Sequence, residues 1–181
     1  NWIGGTRDDA AGEAFDKIGR TLNLPYPGGP AIEKEAKKGN PKSYPFPRPM
    51  IYSKDFDFSF SGLKAAVTRE TKTIRQFSNA TISNLAASVQ QAIVDVLVKK
   101  TLEAAQKYKV KSILLGGGVA ANQKLRDELT LNTKYLIPNT AIFVPQKSLC
   151  TDNAAMIGAY AAFHYNPVDW KKVTANPELY F

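Results

Sequence analysis

Cysteine and histidine are nearly missing from this chain: one of each, Cys150 and His164, among 181 residues. A single cysteine excludes an internal disulfide and a clustered-thiol metal site, and agrees with a reducing compartment, so a cytoplasmic location is expected. His164 has no histidine or cysteine neighbour at metal-ligand spacing, so it is read as structural or exposed. No His-Glu-x-x-His segment is present, which removes the usual zinc-peptidase helix. No apolar run reads as a membrane span, no internal repeat is visible, and basic residues occur in pairs such as Lys37-Lys38 and Lys99-Lys100 rather than in a long polybasic arm. The first residues, Asn1-Trp2-Ile3-Gly4-Gly5, lack both a secretory layout and an initiator methionine and read as a cut boundary.

What is present is the composition of a globular domain, 44% hydrophobic and 22% charged. Lysine and arginine outnumber aspartate and glutamate by 24 to 16, a net charge of +8, which favours a polyanionic partner without naming it.

Thr6-Arg7-Asp8-Asp9 has capping-box form, and Ala11, Phe15, Ile18 and Leu22 follow at helical spacing, so a helix is expected over 7–22. Asp9, Glu13 and Asp16 lie on its opposite face, either as a solvated stripe or as the wall of a polar pocket. The adjoining turn Pro27-Gly28-Gly29-Pro30 favours the pocket, since two glycines leave room for a ligand ring and a carboxylate such as Asp16 can accept both ribose hydroxyls. A second helix is expected over 31–38. Pro41, Pro45, Pro47 and Pro49 then forbid regular structure, while Tyr44 and Phe46 suggest that this loop packs on the body. Alternating Phe56, Phe58 and Phe60 read as a half-buried strand leading into a helix to about residue 70. Apolar residues from Ile82 to Leu97 at helical spacing define a long helix over 81–107.

Strand 110–115, the turn Gly116-Gly117-Gly118, a helix over 120–131 and strand 141–144 give an alternating α/β pattern. The glycine turn brings bare backbone amides to the positive end of a helix dipole and suits a nucleotide, although such glycines also make plain tight turns. Asn122 either hydrogen-bonds a sugar or base edge or merely caps the turn. Thr151 is the expected cap of a small-residue helix over 154–163, and beside it Asp152 is either an N-terminal helix charge or a metal ligand that needs partners from elsewhere. Cys150 is assigned to packing, with no basic partner predictable, and an irregular tail containing Pro167, Trp170 and Pro177 closes the chain.

Four segments then match one family in order: Asp8-Asp9-Ala10-Ala11-Gly12-Glu13-Ala14-Phe15-Asp16-Lys17, Tyr26-Pro27-Gly28-Gly29-Pro30, Leu115-Gly116-Gly117-Gly118-Val119-Ala120-Ala121-Asn122 and Cys150-Thr151-Asp152-Asn153-Ala154-Ala155-Met156-Ile157-Gly158. With Phe46-Pro47-Arg48-Pro49 and Phe58-Ser59-Phe60-Ser61-Gly62-Leu63-Lys64, the chain resembles the C-terminal half of bacterial TsaD-type tRNA N6-adenosine threonylcarbamoyltransferases. The resemblance implies an α/β lobe of the actin-like ATPase superfamily (ASKHA, ribonuclease H-like) with a mixed sheet packed by helices. It divides the chain into an inter-lobe helix and substrate-contact turn (1–30), an actin-like lobe with a helical insertion (31–165) and the tail (166–181).

The implied reaction is transfer of a threonylcarbamoyl group from threonylcarbamoyl-AMP to the exocyclic amine of the adenosine 3′ of the anticodon, in tRNAs reading codons that begin with A. By resemblance, Asp16, Gly29, Glu33 and Asn122 contact substrate, Gly116, Gly117 and Gly118 form the adenosine turn, and Asp152 is the one metal ligand. The implied iron or zinc is completed by two histidines of an N-terminal lobe that this chain does not contain, so the chain alone is expected to be inactive; no catalytic base is identifiable. Implied partners are tRNA and the accessory proteins TsaB and TsaE, with no membrane. Competing expectations are a non-catalytic actin-like subunit binding nucleotide or tRNA, a sugar or acetate kinase, and the older metallo-endopeptidase assignment of the family.

Overall fold

The computed structural model describes residues 1–74 and 77–174. Its organising element is α4, Asn79–Tyr108, a 30-residue helix that spans about 45 Å at the usual rise. Ser78 opens it by accepting a hydrogen bond from the Thr81 amide, and Lys109, left-handed at φ 50°, closes it. By length and composition α4 could cross a membrane, with mean hydropathy 1.2 over its most apolar 18 residues, a run that the sequence pattern did not single out. Yet 67% of that window is buried inside the protein, so it is a core helix.

Two apolar clusters form on α4. At its N-terminal half, Leu85, Val89 and Ile93 pack with Phe15, Ile18 and Leu22 of α1 (Ala11–Thr21), Ile32 of α2 (Gly28–Ala36), and Leu63 and Val67 of α3 (Ser61–Thr73). At its C-terminal half, Val94, Val98 and Leu102 pack with Ile113 of β1 (Ser112–Leu114) and with Leu125 and Leu129 of α5 (Gln123–Leu136). Leu97 and Val119 touch both clusters and join them.

Strand β1 pairs in parallel with β2 (Ala141–Phe143), Ile113 facing Ile142. Among the described residues the sheet is therefore two-stranded and parallel rather than mixed. Leu114 and Phe143 are 76% and 59% exposed, and α6 (Ala154–Phe163) has no buried residue although it is almost wholly apolar.

The expected phenylalanine strand is reduced to a single parallel bridge, Thr6 to Phe58, held by Arg7 N to Phe58 O at 2.9 Å and Phe58 N to Gly5 O at 2.8 Å. Alternation put Phe60 in the core, but only a three-residue stretch faces this segment, so no ladder extends. The proline-rich loop does pack: Phe46 is 5% exposed and stacks on Tyr44 at 5.8 Å, while Arg48 pairs with Asp95 of α4 at 2.8 Å.

Helix α1 begins at Ala11 rather than residue 7, and its N-cap Ala10 receives no side-chain hydrogen bond. The capping residue serves another helix. Asp8 accepts from the amides of Phe60 at 2.8 Å and Ser61 at 3.3 Å, and from the hydroxyls of Ser59 and Ser61, so it caps α3 from some 50 positions upstream in the chain. Burial alone would raise this carboxyl, but those hydrogen bonds prevail and lower it to about 2. At α6 the cap is Asn153, whose side chain accepts from Met156 N, not Thr151. Among its described residues the tail holds a 3-10 turn, Trp170–Lys172; Pro177 lies outside them.

Candidate nucleotide cleft

Helices α1 and α2 approach so closely at Gly19 and Gly28 that a Cβ built on Gly28 would stand 2.5 Å from Phe15 O and 2.6 Å from Asp16 Cα. Gly28 is thus required by packing, and of the two glycines only Gly29 keeps open space, with Phe15 Cβ 3.9 Å from its Cβ position. Asp16 accepts from Gly28 N through Oδ1 at 2.7 Å, which fixes the turn against α1 and leaves Oδ2 outside that bond.

Facing this turn, residues 116–118 lead into a 3-10 turn, Gly118–Ala121, and α5 starts only at Gln123. The expected helix at residue 120 therefore begins three residues later. Gly117 holds φ +80°, and a Cβ on any of the three glycines would meet nothing within 4 Å. Asn122 is the N-cap of α5 and is buried at 6% exposure. Its Oδ1 accepts from Leu125 N at 3.0 Å and its Nδ2 donates to Gln90 Oε1 of α4 at 2.9 Å. A carboxamide has two donors and two acceptor sites, so one of each remains for a ligand. The capping role and the contact role are compatible in this one side chain.

The positive end of α5 is less free than the sequence suggested. Glu33 of α2 accepts from Gln123 N at 3.4 Å, and Asn122 has taken Leu125 N, so a carboxylate and a carboxamide already occupy that terminus. The dipole site expected for an anion is therefore partly neutralised within the protein.

Between the two halves lies a cleft of about 400 Å³ lined by Gly12, Phe15, Asp16, Pro27, Gly29, Pro30, Glu33, Gly118, Val119, Ala121, Asn122 and Thr151. That volume falls within the range of small-molecule pockets. All four expected substrate contacts, Asp16, Gly29, Glu33 and Asn122, line it, and so does Gly118. Gly116, Gly117 and Asp152 are not among its lining residues; Asp152 is exposed and adjoins the lining residue Thr151. Pro30, Val119 and the core residue Phe15, only 2% exposed, supply apolar lining; helical spacing marks Phe15 for packing and the turn accounts for Pro30, while nothing in local periodicity marks Val119.

The acidic stripe expected on the first helix is divided, and Asp9 precedes α1. Asp16 reaches the cleft, whereas Asp9 and Glu13 pair with Lys17. Cys150 does have a basic partner: the Arg126 guanidinium donates to Sγ at 3.1 Å, tying the loop before α6 to α5. This pairing joins separate elements 24 positions apart, so no local pattern announces it. His164 is exposed and stacks on Tyr160 at 4.2 Å, as a structural residue would. Among the described residues no group of three His, Cys, Asp or Glu side chains could hold a metal ion.

A tRNA N6-adenosine threonylcarbamoyltransferase of Moorella thermoacetica is 51% identical over 98% of this chain and 52% of its own length. The protein of that name from Syntrophomonas wolfei is 46% identical over 96% of this chain and 51% of its own length. For the one from Listeria welshimeri the figures are 53%, 87% and 46%. The chain thus spans about half the length of the curated relatives it matches. The family profile described as TsaD, tRNA N6-adenosine threonylcarbamoyltransferase, matches residues 1–159, cleft included, and the chain belongs to that family.

Proposed function

We propose that this chain is the C-terminal, adenylate-contacting half of an enzyme that transfers the threonylcarbamoyl group of threonylcarbamoyl-AMP to the exocyclic amine of the adenosine 3′ of the anticodon in tRNAs reading codons that begin with A. The observation that carries the reading is the convergence of Asp16, Gly29, Glu33, Gly118 and Asn122, from three separate stretches of sequence, on one cleft. The apolar, exposed α6 supports completion of the site by polypeptide beyond this chain.

In this reading Asp16 accepts ribose hydroxyls through Oδ2, Asn122 uses its remaining donor and acceptor on the nucleotide, and the base lies against Gly29 and Val119. The adenosine amine attacks the carbamoyl carbon, a C–N bond forms, the C–O bond to phosphate breaks, AMP leaves and the amine gives up a proton. Positioning is the contribution of these residues. The iron or zinc implied by the family does not fit this chain alone: among the described residues no three His, Cys, Asp or Glu side chains gather, and the exposed Asp152 carboxylate has no such companions. Asp152 is proposed as one donor of a shared centre. Association with tRNA, TsaB and TsaE, and a cytoplasmic location, follow from the same reading.

The test is calorimetric titration of AMP into the full-length protein and its Asp16→Asn variant. Asparagine keeps the acceptor for Gly28 N but replaces Oδ2 by a donor, so AMP should bind roughly tenfold or more weakly. A folded protein that ignores AMP would remove the transferase reading and leave a non-catalytic subunit as the better one.

A further inference from the structure

Helix α3 buries Leu63 and Val67 against the core, and its opposite stripe, Ser61, Lys64, Thr68, Arg69 and Lys72, lines a groove of about 460 Å³ with Asp9 on the far wall. These positions recur at helical spacing, so Lys64, Thr68 and Lys72 stand in line about 6 Å apart. No ion pair among the described residues engages Lys64, Arg69 or Lys72. The one groove carboxylate, Asp9, is already paired with Lys17, which also holds Glu13 at 2.7 Å. Glu70, on the same helix, is not part of the groove lining, and Asp8 is engaged at the start of α3. Three uncompensated cations therefore face one concavity. The groove beside α5 differs: its Arg126 is committed to Ala120 O and Cys150 Sγ, and the carboxylate of Asp127 shares the lining with Lys134.

The groove also adjoins the cleft. Asp9 belongs to the groove, and Gly12, Phe15 and Asp16, on the helix that follows it, belong to the cleft, a separation on the order of 10 Å along the chain. A polyanion lying along α3 would pass beside the place where a single nucleotide enters.

We propose that the Lys64–Arg69–Lys72 face of α3 is a docking surface for tRNA backbone phosphates next to the nucleotide being modified. The proposal rests on the transferase reading, from which it takes the nature of the polyanion. Contacts of this kind set register and carry no base specificity.

The experiment measures binding of an unmodified tRNA transcript to the full-length protein across a salt series, by fluorescence anisotropy, with AMP titration and threonylcarbamoyl transfer run alongside. Three proteins are compared: the unaltered one, the triple variant Lys64→Gln, Arg69→Gln, Lys72→Gln, and a control carrying Lys111→Gln, Lys134→Gln and Lys147→Gln on other exposed sites. Loss of three phosphate contacts should reduce the slope of log K against log salt by about 2–3 and raise the KM for tRNA, with AMP binding unchanged. The control should keep the slope. A triple variant whose slope and KM match the unaltered protein overturns the docking surface while leaving the transferase reading intact, and equal losses in variant and control overturn it as a general charge effect. An unaltered protein that binds AMP but no tRNA would overturn both. Unchanged AMP binding by the variant shows that it is folded, and single Lys72→Arg should retain the slope.

Discussion

Replacing Gly28 by alanine drives a methyl group into the backbone of α1. Its Cβ would stand 2.5 Å from Phe15 O and 2.6 Å from Asp16 Cα, and neither atom is the end of a flexible side chain. The helices would have to separate by about 1 Å to restore ordinary contact near 3.5 Å. That movement also pulls Asp16 Oδ1 from the Gly28 amide, now 2.7 Å away. Overpacking of this kind costs about 1–3 kcal/mol and a hydrogen bond to a carboxylate contributes about 1.5–3, while alanine returns less than about 1 through helix propensity. The expected net loss is about 2–4 kcal/mol, a fall in Tm of about 5–15 °C for a domain of this size.

Gly29→Ala is the matched comparison, because its nearest non-neighbouring atom is Phe15 Cβ at 3.9 Å. Its Tm should stay within a few degrees, whereas AMP binding should weaken because the methyl enters the cleft. Thermal unfolding followed by circular dichroism, paired with calorimetry, reads both. A Gly28→Ala protein that melts with the unaltered one, or a Gly29→Ala protein that binds AMP equally well, would refute the division of labour between the two glycines.

Acid should weaken the fold through Asp8. Its folded value of about 2 lies below the ordinary 3.8, so its contribution is complete above about pH 5 and is lost as pH falls through 3.8 toward 2. Chemical denaturation of Asp8→Asn, which cannot ionise, should show a shallower decline over that window, and an unchanged acid limb would exclude Asp8 as a source. Gln90 is expected to hold Asn122: Gln90→Leu leaves a buried donor unpaired and should cost about 1–3 kcal/mol. A double-mutant cycle with Asn122→Ala should give a coupling of at least about 0.5 kcal/mol, and additive losses would deny the link.

The sequence determined the elements whose cause is local. Helical spacing located α4 and α6 to within two residues at either end, four prolines kept 41–49 irregular, and the motif positions named cleft residues before any contact was known. Side-chain period and proline geometry act over a few residues, and these features can therefore be read along the chain. The tertiary structure decided which partner each residue meets. Asp8, read as part of a cap for its own helix, caps α3; Gly28 is fixed by α1 rather than by a ligand; Glu33 reaches the amide end of α5; and Asn122 is held by Gln90 on α4. The phenylalanine alternation survived as one bridge because a strand depends on a neighbour that its own residues do not encode. Hydrogen-bond donors and acceptors are alike wherever they lie in sequence, so only the folded arrangement of α1, α2, α4 and α5 settles how they pair, and with that, which atoms of the cleft are left for a ligand.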